Sequence, residues 1–385
     1  MKCVETPLRE IFTFSNGINF NKSAYSPGVK LIGVSNFGNR FSPDYEELQE
    51  INRKFVRIGD YLRNGDIIFV RSNGNKELVG RCMLIKDILQ PVTFSGFCIR
   101  ARIKNTREHD PTFFTYYFKS AAFRKAISGN AVGANIQNLS QERLSNYIAC
   151  VPDIVSQRKI ANILSTYDIL IENNQKQIKL LEKAAQRLYK EWFVNFRFPG
   201  YEDTPIVDGV PEGWERLPVG ELIEKIPRTT QIMASEYGKE GPIPIIDQSK
   251  EFIAGYTDNH ASLVNVGKPV IVFGDHTRIL KYIQFPFAKG ADGTQLIVSN
   301  TDRMPQSLFY CSLVGVDLSN YHYARHFKYL KAEELLVPTQ VIAEAFDHFV
   351  SPMFSKIQRL RDINKAATNA RDRLLPKLMS GEIEV

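Results

Sequence analysis

The stretch Val151-Pro152-Asp153-Ile154-Val155-Ser156-Gln157-Arg158-Lys159-Ile160 opens a long amphipathic helical pattern, and the same kind of pattern opens 186 residues later at Val337-Pro338. From Ile160 onward, apolar residues recur at alternating steps of four and three residues. Adding 186 to these positions gives a second series that starts at Phe346 and is again mostly apolar. This spacing is typical of the a and d positions of a coiled coil. The sequence therefore predicts two long helices with matching apolar seams.

The predicted seam has one asparagine in each helix, Asn174 and Asn364. A polar seam residue can fix the register of two helices, or it can simply be tolerated where the seam is wet. Each helix could also pack on its own domain alone, but the repetition of the pattern favours pairing. The seam residues are Ile160, Leu164, Ile171, Asn174, Ile178, Leu181 and Leu188 in the first helix and Val350, Met353, Ile357, Leu360, Asn364, Leu374 and Leu378 in the second.

Length and composition describe a globular protein with a basic surface. A chain of 385 residues suits two domains of ordinary size plus connectors. The net charge of +7 and the isoelectric point near 9.0 favour a polyanionic partner. No apolar run approaches the roughly 20 residues of a membrane span, and the N-terminus lacks a signal-peptide core, which together predict a cytoplasmic protein. The five scattered cysteines include no C-x-x-C pair and are expected to be reduced thiols.

Four segments follow from the pattern of apolar runs and turns. Residues 1–150 form a β-rich unit, 151–200 the first long helix, 201–336 a connector and second β-rich unit, and 337–385 the second long helix. The predicted class is α/β (α+β), with two globular units joined by two long antiparallel helices in a pseudo-twofold internal repeat. The runs predicted to be strands in the first unit are Val29–Val34, Gly65–Val70, Arg81–Ile85 and Gly96–Ile103, followed by a helical aromatic stretch from Pro111 to Ile127.

The two β-rich units share an order of parts but little sequence. Three pairs of segments correspond: Leu8–Ile11 with Val219–Leu222, Gly65–Val70 with Gly267–Phe273, and Leu139-x-x-Glu142 with Leu330-x-x-Glu333. A scaffold that repeats while its loops diverge indicates two binding heads for two different ligands.

Motifs for catalysis or for a metal site are absent from the sequence. It contains no G-x-G-x-x-G, no phosphate-binding P-loop and no H-E-x-x-H. His322 and His326 have the spacing of a metal pair on a helix, but without a nearby Glu or Cys we expect solvated or nucleic-acid-facing histidines. Asp275 and His276 could be taken for a catalytic Asp/His pair, but no Ser or Cys nucleophile with the required geometry accompanies them. We therefore predict a protein without catalytic or metal-ligating residues.

Two segments carry a resemblance to a known family. Gly209-Val210-Pro211-Glu212-Gly213-Trp214-Glu215 and the terminal stretch from Arg371 to Val385 resemble the specificity subunit of type I restriction-modification enzymes, as does the segment from Val151 to Ser165. The resemblance implies that the heads are target recognition domains, each reading one half of a split asymmetric DNA site. It also implies that the helices form an antiparallel coiled-coil spacer that binds two methyltransferase subunits.

The same resemblance implies where the chemistry resides. The methyltransferase subunits would supply S-adenosylmethionine and adenine-N6 methylation, and a motor-nuclease restriction subunit would add translocation and cleavage with ATP and Mg. This chain itself would bind no cofactor and no membrane. Helix geometry is consistent with this arrangement, because helices of about 40 residues are about 60 Å long. That length can hold two heads at least one DNA turn apart, about 34 to 36 Å.

The residues predicted to contact DNA are polar and lie in loops after apolar strands or helices. Arg and Lys read guanine, Asn and Gln read adenine, and Lys, Arg, Ser, Thr and Tyr hold phosphates. The alternative for any one of them is an ordinary solvated surface residue. The set is Arg71, Asn73, Asn75, Lys76, Asn130, Asn135 and Gln137 in the first head and His276, Thr277, Arg278, Lys281, Asn320, His322, Tyr323, Arg325 and Lys328 in the second.

Two other functions remain as alternatives. One is a coiled-coil scaffold or interaction protein whose two heads bind protein partners. The other is a self-contained nuclease or methylase, which the missing catalytic motifs disfavour. Salt dependence separates DNA reading from scaffolding, because neutralising phosphates makes affinity fall steeply with salt.

Overall fold

The computed structural model describes residues 2–38, 40–75, 78–128, 137–321 and 325–385. It divides into two compact units, the first made of Met1–Asn173 with Ile363–Val385 and the second of Asn174–Asp362. Each unit therefore contains one β-rich head and part of both long helices. The mixed helix and strand class with long helices, predicted from the sequence, is confirmed.

The N-terminal part of the first unit consists of strand-rich segments that lead into the first long helix. Its strands and helices, in chain order, are β1 (Cys3–Pro7), α1 (Leu8–Ile11), β2 (Phe12–Asn16), β3 (Tyr25–Ile32), β4 (Gln49–Ile51), β5 (Ile67–Val70), β6 (Ser72–Asn73), β7 (Cys82–Leu84), β8 (Val92–Phe94), β9 (Cys98–Ile103), α2 (Pro111–Lys119), α3 (Ala121–Ser128), β10 (Gln137–Asn138), α4 (Gln141–Asn146), β11 (Ile148–Pro152) and α5 (Ile154–Tyr189), which continues into the second unit.

The centre of the first head is an antiparallel sheet in the order β2-β9-β5-β7. Strand β5 is buried at all four positions, as the apolar run from Ile67 to Val70 predicts for a central strand. A second sheet has the order β4-β3-β8, with β3 and β8 parallel. The aromatic residues of α2 pack on the central sheet, where Phe12 and Phe114 meet edge to face at 5.0 Å between ring centroids.

The second unit repeats this order of parts. After the connector its elements are β12 (Ile206–Val207), β13 (Val210–Pro211), β14 (Glu215–Pro218), β15 (Ile243–Ile246), β16 (Gly255–Thr257), β17 (Leu263–Val264), β18 (Val270–Gly274), β19 (Leu280–Ile283), β20 (Phe287–Lys289), β21 (Thr294–Ile297), α6 (Gln306–Val314), α7 (His326–Ala332), β22 (Glu334–Val337) and α8 (Gln340–Ser380), which continues into the first unit. Its sheets have the orders β19-β18-β21 and β16-β15-β20-β17. Strand β18 is buried throughout.

The 186-residue repeat extends from the long helices into the heads. In the first head the amide of Leu8 donates to the carbonyl of Tyr147 at 2.9 Å, and in the second Val219 donates to Glu333 at the same distance. Leu144 and Leu330, also 186 residues apart, are both buried two residues before their short helix ends. The predicted correspondence of Leu139 with Leu330 is therefore wrong by five residues. The counterpart of Leu330 is Leu144, inside α4, and not Leu139, in the loop before that helix.

The long helices begin and end at residues suited to those positions. The Asp153 carboxylate accepts the amides of Val155 and Ser156 at 2.9 and 3.1 Å and the Ser156 hydroxyl at 2.7 Å, which caps α5. Helix α8 ends before Gly381, whose φ of 77° is a left-handed conformation that glycine adopts without strain.

Within the second unit the two helices run antiparallel. Glu182 of α5 binds Arg361 of α8 at 3.1 Å, and Trp192, in the π-helical turn Lys190–Val194 that continues α5, packs on Phe346 with ring centroids 5.7 Å apart. Residue numbers therefore rise along one helix as they fall along the other. Ile178, Leu181, Leu188 and Met353 pack on a core that includes Val350 and Ile357.

Within the first unit the opposite ends of the helices meet. Leu378 belongs to the same core as Ile160 and Leu164. Seven residues before it on α8, Arg371 binds Asp168 of α5 with 2.5 Å between Nη1 and Oδ1. All fourteen predicted seam residues are buried or half-buried, and Asn174 is only 4% exposed.

The expectation of five reduced thiols is wrong for two cysteines. Cys3 and Cys150 form a disulfide, with their Cα atoms 5.4 Å apart. The reason is the antiparallel pairing of β1 with β11, which places Cys3 opposite Pro152 and Glu5 opposite Cys150. Cys82, Cys98 and Cys311 are free and buried. Over the described residues, none of the helices combines the length and apolarity that crossing a membrane requires.

Candidate nucleic-acid interface

The first candidate surface lies where β5 ends in the first head. The backbone of Arg71 bonds to two neighbouring segments: its amide donates to Phe97 at 2.8 Å and its carbonyl accepts from Leu139 at 2.9 Å. Its guanidinium Nη1 lies 3.4 Å from the carbonyl of Gly96. Arg71 thus joins the β5 loop to the β8–β9 turn and to the segment before α4.

Asn73 and Gln137 are neighbours, because β6 and β10 pair antiparallel with Gln137 opposite Asn73. The Asn73 side chain accepts the amide of Asn75 at 2.7 Å, which shapes the turn that leaves Asn75 exposed. The structure therefore brings Arg71, Asn73, Asn75 and Gln137 together in one region. Lys76, Asn130 and Asn135, also predicted to contact DNA, lie outside the described residues.

Phe97 is a residue of this region that the sequence interpretation missed. Its side chain is 62% exposed, and its carbonyl accepts the amide of Arg71. An exposed aromatic ring on a segment bonded to Arg71 can stack on a base or a sugar. The available signal was the isolated phenylalanine in the turn Ser95-Gly96-Phe97, between two strands that already carry their own buried aromatic and aliphatic residues.

The second candidate surface is the turn between β18 and β19. Arg278 has a φ of 61°, and its guanidinium donates to the carbonyl of Leu318 at 2.9 Å. The Thr277 hydroxyl donates to the Gln248 carbonyl at 2.7 Å, and the His276 amide donates to the Gln248 side chain at 3.1 Å. His276, Thr277 and Arg278 are all exposed on a turn that is held from both sides.

Glycine is required where this turn folds back on the strand. A Cβ on Gly274 would lie 2.2 Å from the Thr277 hydroxyl and 2.9 Å from the Gln248 Cβ. Any side chain there would displace Thr277 or Gln248. Gly274 therefore sets the tightness of the turn.

The segment that leads into α7 is bonded to the same turn. The Asp275 carboxylate accepts the amide of Phe327 at 2.7 Å, and its carbonyl accepts the amide of His326 at 2.9 Å. Asp275 thereby caps the start of α7 from another part of the chain. Asn320, Arg325 and Lys328 are exposed on this segment and helix, whereas His322 and Tyr323 lie outside the described residues.

Lys281 has surroundings unlike those of the other predicted residues. It is 5% exposed in β19, where its ammonium donates to the Glu251 carbonyl and lies 3.7 Å from the Asp247 carboxylate. Burial lowers the pKa of Lys281, and Asp247 opposes that shift. The ammonium of Lys281 therefore interacts with groups inside the second head and does not face solvent.

The interpretation of His326 as a solvated or nucleic-acid-facing residue is wrong. Its side chain is 6% exposed, with both ring nitrogens at hydrogen-bond distance from backbone carbonyls. The physical reason is that α7 begins at His326 and packs against the turn after β18. Within the described residues no group of three His, Cys, Asp or Glu side chains could hold a metal ion.

The polar side chains of both surfaces offer guanidinium, ammonium, amide and hydroxyl donors. Arg71 with Asn73 and Asn75 in the first head, and Arg278 with Arg325 and Lys328 in the second, have the chemistry of phosphate and base-edge contacts. The first set lies directly after the buried strand β5, whereas in the second set Arg278 lies in the turn after β18 and Arg325 and Lys328 lie at the start of α7, which is bonded to that turn. The two heads thus present comparable polar surfaces at comparable places.

Comparison with known proteins gives one consistent family. Residues 2–183 match the type I restriction modification DNA specificity domain. The chain is 25% identical over 299 residues to the type I restriction enzyme MjaIX specificity subunit of Methanocaldococcus jannaschii, covering 71% of this chain and 69% of that protein. It is 23% identical to the HindI specificity subunit of Haemophilus influenzae, covering 94% of this chain and 96% of that protein.

A solved structure shares the fold. The S subunit of a type I restriction-modification system from M. genitalium superposes with a TM-score of 0.61 at 16% identity, covering 98% of this chain and 96% of that one. The alternative of a coiled-coil scaffold for protein partners is not favoured by these similarities.

Proposed function

We propose that this chain is a type I restriction-modification DNA specificity subunit, as the match of residues 2–183 and the similarity to curated specificity subunits support, and that each of its heads reads one half of a split asymmetric DNA site. The two heads would contact DNA through the loops that follow β5 and β18. Their different side chains would give the two half-sites different sequences. The long helices would set the uncontacted gap between the half-sites.

One observation carries this proposal above the others. In both heads the residue directly after the buried central strand accepts an amide from the segment that leads into the short helix, Arg71 from Leu139 and Asp275 from His326. This shared junction presents cationic and amide side chains on a rigid support. Binding residues on loops held by a rigid scaffold are the usual arrangement of a recognition surface.

We assign roles by side-chain chemistry. Arg71 and Arg278 are proposed to read base edges, since an arginine can donate two hydrogen bonds to guanine. Asn73, Asn75, Gln137 and Asn320 suit adenine. Thr277, Arg325 and Lys328 suit phosphates, and Phe97 suits stacking.

The partners and chemistry are also proposed from the family. Two methyltransferase subunits would bind the long helices and supply S-adenosylmethionine for adenine-N6 methylation. Restriction subunits would supply ATP-dependent translocation and cleavage, with Mg. This chain would direct them without catalysing a step, in the cytoplasm, where cellular DNA is available to it.

Salt dependence of DNA retention tests the proposal. We would measure binding of the full chain, co-purified with its methyltransferase subunits, to a mixed-sequence duplex over a series of salt concentrations. Removing a side chain that neutralises one phosphate should reduce the slope of log affinity against log salt by about 0.9. Arg325→Ala and Lys328→Ala should each do so, while Lys183→Ala, an exposed residue of α5, should not. Identical slopes for the wild type and all three variants would contradict the assignment, and absence of DNA retention at low salt would contradict DNA reading itself.

A further inference from the structure

A turn capped by asparagine follows the same strand in both heads. In the first head β4 pairs antiparallel with β3, which pairs parallel with β8, and in the second β16 pairs antiparallel with β15, which pairs parallel with β20. After β4, the Asn52 side chain accepts the amide of Lys54 at 3.0 Å, and after β16 the Asn259 side chain accepts the amide of Ala261 at the same distance. The two turns are therefore structural equivalents.

The two turns differ in charge. The turn of the first head is Arg53–Phe55, with the sequence RKF, and the turn of the second is His260–Ser262, with the sequence HAS. The second turn has the same backbone hydrogen bonds without a lysine or an arginine. The fold of the turn therefore does not require the two cations that the first head has there.

The first head also has more chain after its turn. The amide of Leu62 donates to β8 ten residues after Asn52, whereas β17 begins only four residues after Asn259. The additional residues include a third cation, Arg57. We call residues 52–60 the basic loop.

Buried groups hold the basic loop in place. Arg100 of β9 is 9% exposed, and its guanidinium Nη1 donates to the carbonyl of Gly59 at 2.9 Å. The Thr93 hydroxyl donates to the carbonyl of Asp60 at 3.0 Å, and the Asp60 carboxylate accepts the amide of Arg57 at 3.0 Å. The only acidic side chain of the loop is thus bonded to the loop's own backbone. A loop fixed in this way loses little conformational freedom when it binds a ligand.

The side chains of the basic loop face solvent. Arg53, Lys54 and Arg57 are exposed, as are the apolar side chains of Phe55 and Ile58 between and beside them. The ammonium of Lys54 lies 5.2 Å from the centroid of the Phe55 ring. Closely spaced, exposed cations on a fixed backbone are complementary to the phosphates of a nucleic acid.

The basic loop is connected through β9 to the candidate surface of the first head. Phe97, directly before β9, accepts the amide of Arg71, and Arg100, which holds Gly59, is three residues further along. At about 3.3 Å per strand residue, the base of the loop is about 10 Å from the level of Arg71 along β9. Phosphates of one DNA strand repeat about every 3.4 Å along the axis. A single duplex is therefore long enough to contact both places.

We propose that the basic loop binds the phosphate backbone of the DNA at the first half-site and that the equivalent turn of the second head makes no such contact. This inference rests on the proposed function and adds to it an asymmetry between the heads. Arg53, Lys54 and Arg57 bind the phosphates. Because phosphates carry no sequence information, the loop strengthens the binding of any duplex and leaves the choice of bases to other residues.

The salt dependence of DNA binding tests this inference on the full chain co-purified with its methyltransferase subunits. The triple variant Arg53→Gln/Lys54→Gln/Arg57→Gln should reduce the slope of log affinity against log salt by about 2.7, which corresponds to three phosphates. The reduction should be equal for a mixed-sequence duplex and for a duplex that carries the methylated motif. The motif, mapped by sequencing of methylated adenines, should not change.

Two control variants separate the charge of the basic loop from other effects. Arg53→Lys/Arg57→Lys retains all three cations and should keep the wild-type slope. Arg107→Ala removes an exposed cation from a turn after the other end of β9, where the Asn105 side chain accepts the amide of Arg107 at 3.0 Å. It should also keep the wild-type slope. A reduction for Arg107→Ala as large as that for Arg57→Gln would overturn the assignment to this loop.

Two further results would overturn the inference. One is a wild-type slope for the triple variant. The other is loss of the methyltransferase subunits from the purified triple variant, which would assign the loop to a protein partner. Should the triple variant fail to fold, each single variant, with an expected reduction of about 0.9, decides the question. The proposed function itself fails only if the wild-type complex does not retain DNA, so the two failures are distinguishable.

Discussion

Asp168 of α5 and Arg371 of α8 form a buried ion pair, with 2.5 Å between the carboxylate Oδ1 and the guanidinium Nη1. The carboxylate of Asp168, 4% exposed as a residue, also accepts the hydroxyl of Tyr116 from α2 of the first head. Burial raises the pKa of Tyr116, and the negative charge of Asp168 raises it further. Burial alone would lower the pKa of Arg371, yet Asp168 and Asp372 together raise it. One carboxylate therefore ties both long helices to the head within the first unit.

Removing that carboxylate should strongly destabilise the first unit. Asp168→Ala leaves the largely buried Arg371 with only the exposed Asp372 as an acidic partner, and breaking a buried pair in this way costs about 3 kcal/mol. The double variant Asp168→Leu/Arg371→Leu should recover most of the loss, because it removes both charges. Chemical denaturation of the full chain measures the free energies. A loss below about 1 kcal/mol for Asp168→Ala, the range of a surface pair, would contradict the structure.

The second ion pair between the helices should behave differently. The Glu182 side chain is 43% exposed, so Glu182→Gln should cost under about 1 kcal/mol. Burial raises the pKa of Glu182 and lowers the pKa of Arg361, so both charges are already disfavoured. Arg361 also lies over the ring of Phe252 at 4.0 Å. Arg361→Ala should therefore cost about 2 kcal/mol, more than Glu182→Gln, and equal costs would show that the ring contact contributes nothing.

The cap of α5 makes the stability of the first unit depend on pH. Hydrogen bonds from the Ser156 hydroxyl and amide hold the pKa of Asp153 below its usual value. A lowered pKa means that this stabilisation is complete above the unfolded pKa and is lost as pH falls through the folded one. Asp153→Asn keeps an acceptor but cannot titrate. The difference in melting temperature between wild type and Asp153→Asn should shrink as pH is lowered toward 3, and a constant difference would refute the charge contribution.

Lys281 should affect stability and leave DNA binding unchanged. Its ammonium bonds to Glu251 and Asp247 inside the second head. Lys281→Met should cost about 1 to 3 kcal/mol, because the Glu251 carbonyl and the half-buried Asp247 carboxylate lose their charged partner. The salt dependence of DNA binding, measured below the melting temperature, should match wild type, unlike that of Arg325→Ala. A smaller slope of log affinity against log salt for Lys281→Met than for wild type would show that Lys281 contacts DNA.

The sequence predicted those features that depend on local spacing. The alternation of four and three placed all fourteen seam residues at buried or half-buried positions, and the run from Gly65 to Val70 predicted strand β5. Such patterns are visible because helix and strand each impose a period on neighbouring residues. The predicted correspondence of Leu139 with Leu330 was wrong, because no periodic pattern connects the loop around Leu139 to the helix that follows.

Features that depend on distant residues were not predictable. Asp168 is buried because Tyr116 and Arg371, which are 52 and 203 residues away, surround it. Lys281 and His326 were grouped with exposed polar residues because their partners come from other strands and turns. Cys3 and Cys150 were expected to be free because nothing local reveals that β1 pairs with β11. Polar residues in a loop pattern show their chemistry in the sequence, but their burial is decided by tertiary contacts.

Each head is proposed to read its own half of one DNA site. The most direct measurement is to express the chain with its methyltransferase subunits in a host lacking them and to map methylated adenines by single-molecule sequencing. We expect a split asymmetric motif that disappears without this chain. We also expect Arg278→Ala to relax the motif on one side of the gap and Arg71→Ala to relax it on the other. Methylation with no split motif, or a motif in which both variants relax the same half, would contradict it.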